Sequence, residues 1–441
     1  MMLSGEASPG RLDLGRRRTR LDAKNAMRIA LRHDWSVRGG WRLTGRPPPT
    51  SHSLVPRLRR AGVAAAIAAA PFALAYRFAL AYRVRAGYPI PRPPQFSPAD
   101  IGLAFEAVDV PSGELTLPGW FVPAEGGGPG PGVALVHGWE SARDRLLPMI
   151  AFLHAGGFHC LAVDVRGHGA NSAETLPITA GEFGADALAA FRALDARPEV
   201  TVGAISGHSM GAIGALLAAA AEPRIGAVVA TSAPADPWRL TRQTFRLARL
   251  PIPDPIAYPL AWLTTRVYLR PRGHRVAEIS ATAALRAIDR PVLLAHGEND
   301  TVVPFVHLGR LARAATAAGH PPQILEVPGG HHSWLYEFPE YRRTVASFLA
   351  RSLGGPLPPD EAGARAAATD ARRLPDTPRP PTAVESEPGG FRSLARIGAR
   401  LPRPPSEATA ASGMGAGADD DDTGKPTHPP TAAAAMTEIG S

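Results

Sequence analysis

The sequence predicts an α/β fold: a mostly parallel sheet with helices on both faces and a small cap inserted between two late strands. Three observations carry that expectation. From about residue 133 strand-like runs alternate with helix-like runs, the pattern that builds parallel sheets. The pentapeptide Gly207-His208-Ser209-Met210-Gly211 stands between a strand-like run ending at Ile205 and a helix-like run opening at Ala212, the setting that holds a serine on a sharp strand-to-helix turn. The alternation lapses between Thr231 and Arg290, where Arg, Pro and aromatic residues gather, as in a cap over strand ends.

Taken in order, the chain opens with a basic arm. Residues 1–60 hold 14 Lys and Arg against 4 Asp and Glu, a net of +10, so the other 381 residues sum to −1. The overall charge of +9 therefore belongs to the arm, and a specific nucleic-acid footprint on the folded body is not expected. This arm reads as solvated and disordered.

Residues 61–85 read as an apolar helix. The uncharged run 61–76 is 16 residues long, contains Pro71 and is preceded by Arg57, Arg59 and Arg60. Crossing a bilayer takes about 20 apolar residues, so the run is marginal. Three readings stay open: a weak membrane anchor with Arg77 snorkelling, a helix lying on an anionic surface through residues 57–85, or a helix packed on the catalytic body. Without a small-residue cleavage site, an exported, cleaved product is disfavoured. Met27 is an alternative start.

Pro89 to Pro98 holds five prolines and reads as a stiff linker. Val108–Val110 and Leu115–Val122 are expected as strands flanking a Ser112-Gly113-Glu114 turn. The loop 126–132 is Gly/Pro-rich but lacks the Gly-Lys-Ser/Thr of a phosphate-binding loop. Strands at 133–136, 159–163, 200–205, 227–230, 292–295 and 323–327 then alternate with helices at 146–155, 180–194, 212–221, 306–318 and 341–353. Ligands of such a sheet gather at the carboxyl ends of its strands. Cys160 is the only cysteine; it excludes an intramolecular disulfide and any cysteine-built metal site, and it reads as a buried strand residue. Beyond Gly354 the Pro/Ala/Arg/Ser-rich sequence, with its Asp419–Asp422 run, reads as a disordered tail to residue 441.

A serine hydroxyl needs a base to take its proton and a carboxylate to fix the base's tautomer. Asp300 follows the strand 292–295 in Ala295-His296-Gly297-Glu298-Asn299-Asp300, and His331-His332 follow the strand 323–327 in Val327-Pro328-Gly329-Gly330-His331-His332. An oxyanion also needs backbone donors. Met210, directly after the serine, offers one, and Trp139 in the turn Val136-His137-Gly138-Trp139 offers the other.

The segments ALVHGWESARDR, LAVDVRGHGANS, ISGHSMGAIGALLA, LLAHGENDTVVP and VPGGHHSW, in this order, resemble the α/β-hydrolase family, in particular bacterial serine esterase-like members with an N-terminal apolar segment. The resemblance covers residues 99–353 and leaves both ends outside. It implies Ser209 as nucleophile, Asp300 as the acid, His332 rather than His331 as base, and Trp139 and Met210 as oxyanion donors. Asp164, Arg166, Gly167, His168 and Gly169 match a structural turn of the family. The expected activity is serine hydrolysis of a carboxylic ester without metal or other cofactor, on a small-molecule ester or thioester. A thioesterase, with Arg239, Arg242, Arg246 and Arg249 as a basic rim or merely a solvated helix face, a peptidase or amidase, and a non-catalytic membrane-surface protein are the alternatives.

Overall fold

A computed structural model describes residues 54–172 and 174–370. Most of the basic arm and the tail beyond Asp370 lie outside the described residues. The chain divides between Ala66 and Ile67; of the first part, the described residues 54–66 are the opening turns of helix α1 (Leu54–Ala86).

An eight-stranded sheet organises the second part, in the order β1-β2-β4-β3-β5-β6-β7-β8. Its strands are β1 (Glu106–Ser112), β2 (Leu115–Val122), β3 (Gly130–Val136), β4 (His159–Val163), β5 (Val200–His208), β6 (Ile225–Thr231), β7 (Val292–Gly297) and β8 (Gln323–Val327). The β1–β2 and β2–β4 pairs are antiparallel and the others parallel. The central strands are mostly apolar because both faces are covered. Ala134 and Val136 of β3 point into one core and Val133 and Leu135 into the other, the two-residue alternation of a strand.

Helices α2 (Leu147–Ala155), α3 (Ala180–Asp195) and α4 (Met210–Ala221) follow the early strands. The α3 and α4 helices fill one core and α2 the other. A cap of α5 (Pro237–Leu247), α6 (Asp254–Leu269) and the short α7 (Ala281–Leu285) occupies the interval after β6. Helices α8 (Val306–Ala317) and α9 (Pro339–Leu353) complete the alternation.

Two boundaries at the ends are revised. The basic arm does not run to residue 60, since α1 begins at Leu54. The proline segment 89–98, expected as a stiff linker, is held against the body: Pro89 is buried and Ile90 N donates to Glu140 Oε1 at 3.1 Å. The folded unit does not stop at Leu353, because α10 (Pro359–Ala368) packs on α9 and α2. Ala362 and Ala366 are fully buried there, and a Cβ on Gly363 would overlap Ser347 Oγ, so small residues let the two helices close. The buried Arg342 guanidinium of α9 donates to the carbonyls of Tyr336 at 2.7 Å, Ala366 at 3.1 Å and Ala367 at 2.6 Å, neutralising acceptors that a helix end leaves orphaned.

Different stretches of α1 have different surroundings. Toward its end α1 packs on the cap: Phe78 and Tyr82 meet Phe245 edge-on at 5.4 and 5.6 Å, and Tyr82 Oη lies 2.6 Å from Thr244 Oγ1. Earlier turns leave Ile67, Phe72 and Leu74 exposed. By length and composition alone, Val55–Ala86 is apolar enough to cross a membrane.

Candidate active site

Sequence dictates the turn that carries Ser209. A Cβ on Gly207 would overlap the Gly211 carbonyl, and one on Gly211 would overlap the carbonyls of Val136 and His137, so only glycine at both positions lets β5, β3 and α4 approach this closely. Between them Ser209 sits at φ 55°, ψ −115°, a backbone state that costs a non-glycine residue about 1–3 kcal/mol. The turn is tied down by Ser209 N donating to Thr231 O at 2.9 Å. Ser209 is buried and lines a cavity of about 110 Å³.

Asp300 and His332 meet across the ends of β7 and β8. Asn299 N donates to Gly330 O at 2.8 Å and Glu298 N to Val327 O at 3.1 Å, and a Cβ on Gly297 would overlap the Gly330 carbonyl, so the two loops are pressed together. His332 Nδ1 lies 2.8 Å from Asp300 Oδ2, both side chains being almost fully buried. Asp300 Oδ1 accepts from Val302 N at 2.9 Å and Val303 N at 2.7 Å. Burial alone would push this carboxyl up, yet the His332 and His296 imidazoles hold it well below the usual carboxylate range. His331, by contrast, is exposed, its Nδ1 3.3 Å from Asn299 O.

The backbone of His332 is fixed from the nucleophile side. Its carbonyl accepts from His208 Nε2 at 2.8 Å and from Ser232 Oγ at 3.0 Å. His208 precedes Ser209, and its ring lies 4.8 Å from that of His332. Burial brings the His208 pKa down to about 3, so the ring stays neutral and its Nε2–H is the donor. Gly138 closes the third side: a Cβ there would stand 3.3 Å from Ser209 Cβ and 3.2 Å from His208 Nδ1. Trp139 and Met210 border the same cavity as Ser209. All five sequence-predicted residues therefore cluster at the carboxyl ends of β3, β5, β7 and β8.

Besides the role of His208, two contributors were not read from the sequence. His296 Nε2 lies 3.1 Å from Asp300 Oδ2 and 2.8 Å from Val303 O, so one N–H is shared between carboxylate and carbonyl. Its position four residues before Asp300 is the signal that could have found it. The other is Tyr82, which with Ala86 brings α1 into the cavity wall. Of the cap aromatics, Tyr268 lines this cavity; Phe245 is buried beneath α1, and Tyr258 and Trp262 are exposed. The basic rim is largely paired: Arg242 and Arg246 reach Asp254 and Arg239 reaches Asp236.

The motif 164–169 is structural. Asp164 accepts from Arg143 N at 2.7 Å and Ala170 N at 2.9 Å, and a Cβ on Gly169 would overlap its carboxylate. Cys160 is buried in β4, where burial pushes its thiol pKa up. Among the described residues no group of three or more His, Cys, Asp or Glu is placed to hold a metal ion.

Residues 133–346 match the alpha/beta hydrolase family model. An uncharacterized protein of Mycobacterium tuberculosis is 29% identical over 248 residues, 56% of this chain and 76% of that protein. Protein ABHD12B of Homo sapiens is 26% identical over 232 residues, 50% of this chain and 61% of that protein. Among solved structures, the Pyrococcus furiosus esterase Pf2001 superposes with a TM-score of 0.50 over 60% of this chain and 98% of its own. At 22% identity that likeness is one of fold.

Proposed function

We propose, from the premise that this chain carries an α/β-hydrolase domain, that it is a serine hydrolase cleaving a carboxylic ester through an acyl-enzyme on Ser209. In this reading Ser209 Oγ attacks the carbonyl carbon while His332 Nε2 takes the hydroxyl proton. The backbone N–H groups of Met210 and Trp139 receive the developing oxyanion. Collapse of the tetrahedral intermediate expels the alcohol, which takes the proton back from His332, and water then repeats the sequence to release the acid. Asp300 keeps the Nδ1 proton of His332 in place and stabilises the imidazolium.

One observation carries the reading: a buried Asp300–His332 contact of 2.8 Å in a loop bonded to His208, the neighbour of a strained Ser209 that opens onto an apolar cavity. The cavity, walled by Ile213, Leu240, Leu247 and Val303, is small against the ~300–1,000 Å³ of drug-sized sites and suits a short acyl chain. Fluorophosphonate labelling tests the assignment: an adduct on Ser209, lost in Ser209→Ala, is expected, and an unlabelled folded protein refutes it. Matched ester, thioester and anilide substrates separate esterase from thioesterase and amidase. The exposed apolar turns of α1 support association with a membrane surface through residues 57–85, and carbonate extraction of the membrane fraction tests that.

A further inference from the structure

A second concavity lies beside the cap and takes no part in the chemistry above. It is a cleft of about 940 Å³ whose walls include Arg239 of α5, Arg266 of α6, Arg275, Arg286 just past α7, and Arg310 and Arg313 of α8. Among its described lining residues Asp236 is the one carboxylate. That carboxylate is already engaged, accepting from Arg239 Nε at 3.2 Å, Ser280 Oγ at 3.2 Å and Thr282 Oγ1 at 2.8 Å. Arg275 pairs with Glu278 at 2.6 Å, and Arg266 lies over the Trp262 ring at 3.3 Å. Arg286, Arg310 and Arg313 border the cleft without an ion pair among the described residues. Burial, and the repulsion of Arg239 and Arg313, hold the Arg310 guanidinium below its ordinary pKa.

Like charges drawn into a concave surface raise the local potential and attract anions. Guanidinium groups present planar forks of donors that match phosphate oxygens two at a time. The volume suits a ligand of nucleotide size, and Trp238 adds an apolar wall for its organic part. The cleft also adjoins the acyl cavity. At the start of α5, Trp238 and Arg239 border the cleft while Pro237, Leu240 and Thr241 border the cavity, and Leu269 at the end of α6 borders both.

We propose that this cleft binds a small organic ligand carrying at least two phosphate groups, of nucleoside-diphosphate size. Binding there does not depend on Ser209 chemistry. Such an anion has two sources, the leaving portion of a substrate whose acyl group lies across the α5 turn, or a separate ligand.

Calorimetric titration of the full chain with ADP and with inorganic pyrophosphate tests the site. Saturable one-to-one binding that weakens with added salt is expected. In Arg310→Ala and Arg286→Ala, each with an unchanged melting curve, affinity should fall about tenfold or more. Hydrolysis then separates the sources: a raised KM for an ester whose alcohol bears a diphosphate, with a neutral acetyl ester unaffected, identifies the anion as part of the substrate. Unchanged KM for both, alongside lost ADP affinity, identifies a separate ligand; both results keep the site. Absence of saturable ADP and pyrophosphate binding overturns the proposal. So does arginine-dependent binding to phosphatidylglycerol vesicles without binding of either soluble phosphate, which would make the cleft a membrane-facing patch.

Discussion

Replacing Asp300 with Asn exchanges one buried oxygen for an NH2 group and keeps the size of the side chain. The amide oxygen can stay at the Oδ1 position, where Val302 N and Val303 N donate at 2.9 and 2.7 Å. The new NH2 then faces His332 Nδ1 at 2.8 Å and His296 Nε2 at 3.1 Å, where two donors would oppose it. His332 relieves the conflict by moving its proton to Nε2, and the lone pair that receives the serine proton disappears. The same exchange in a serine protease costs about 10⁴ in kcat, which is about 5.5 kcal/mol of transition-state stabilisation, and a loss of that order is expected here. Steady-state hydrolysis of a p-nitrophenyl ester measures it, with circular dichroism confirming a folded variant. A kcat within tenfold of the parent, in a folded Asp300→Asn protein, would rule out Asp300 as the group that orients His332. The variant also reports on acid stability. Because the folded carboxyl titrates below its unfolded value of about 3.9, its contribution is complete above that pH and is lost as pH falls toward the folded pKa. Asp300→Asn should therefore lose less of its stability on acidification below about pH 4 than the parent does.

Four further outcomes follow from the same geometry. Ser209→Gly should abolish turnover while raising the unfolding free energy by up to about 1 kcal/mol, since glycine accepts φ 55° without strain; a lower melting temperature would contradict the strained turn. Gly207→Ala should destabilise by more than about 3 kcal/mol, because the added carbon meets the Gly211 carbonyl; soluble yield and urea unfolding decide it. Leu240→Trp, filling the acyl cavity, should cut kcat/KM for hexanoyl esters about tenfold or more with little change for acetyl esters. Arg342→Met leaves four carbonyls, those of Tyr336, Glu337, Ala366 and Ala367, without this donor and should cost about 3 kcal/mol in denaturant unfolding; a loss under about 0.5 kcal/mol would show that α10 is not held through it.

The sheet and the site loops were legible because their signals are local and redundant. Apolar runs of strand length around β3 to β7 recur with helices between them, and Gly207, Ser209, Gly211, Asp300 and His332 sit in loops whose glycines mark where backbones touch. His331 and His332 could be told apart only by resemblance; in the fold one is buried against Asp300 and its neighbour is exposed. The role of His208 stayed hidden because its partner His332 lies more than one hundred residues away in the sequence, whereas His296, four residues before Asp300, did carry a local signal. Helix α10 was lost for the opposite reason. Its Ala and Gly residues look like low complexity when no partner is in view, although they are what allows close contact with Ser347. The cap aromatics show the same limit: composition identified the insert, but which ring lines the cavity depends on where α1 docks.

That docking bears on how the protein can be handled. Tyr82 and Ala86 are wall residues of the pocket that holds Ser209, yet they belong to the helix whose earlier turns are apolar and exposed. Trimming the gene to residues 99–353 for the sake of a soluble product would strip one side from the cavity beside Ser209 and uncover Phe245. A preparation trimmed in that way would understate both substrate preference and thermal endurance, and detergent or lipid that grips the same helix becomes a lever on selectivity.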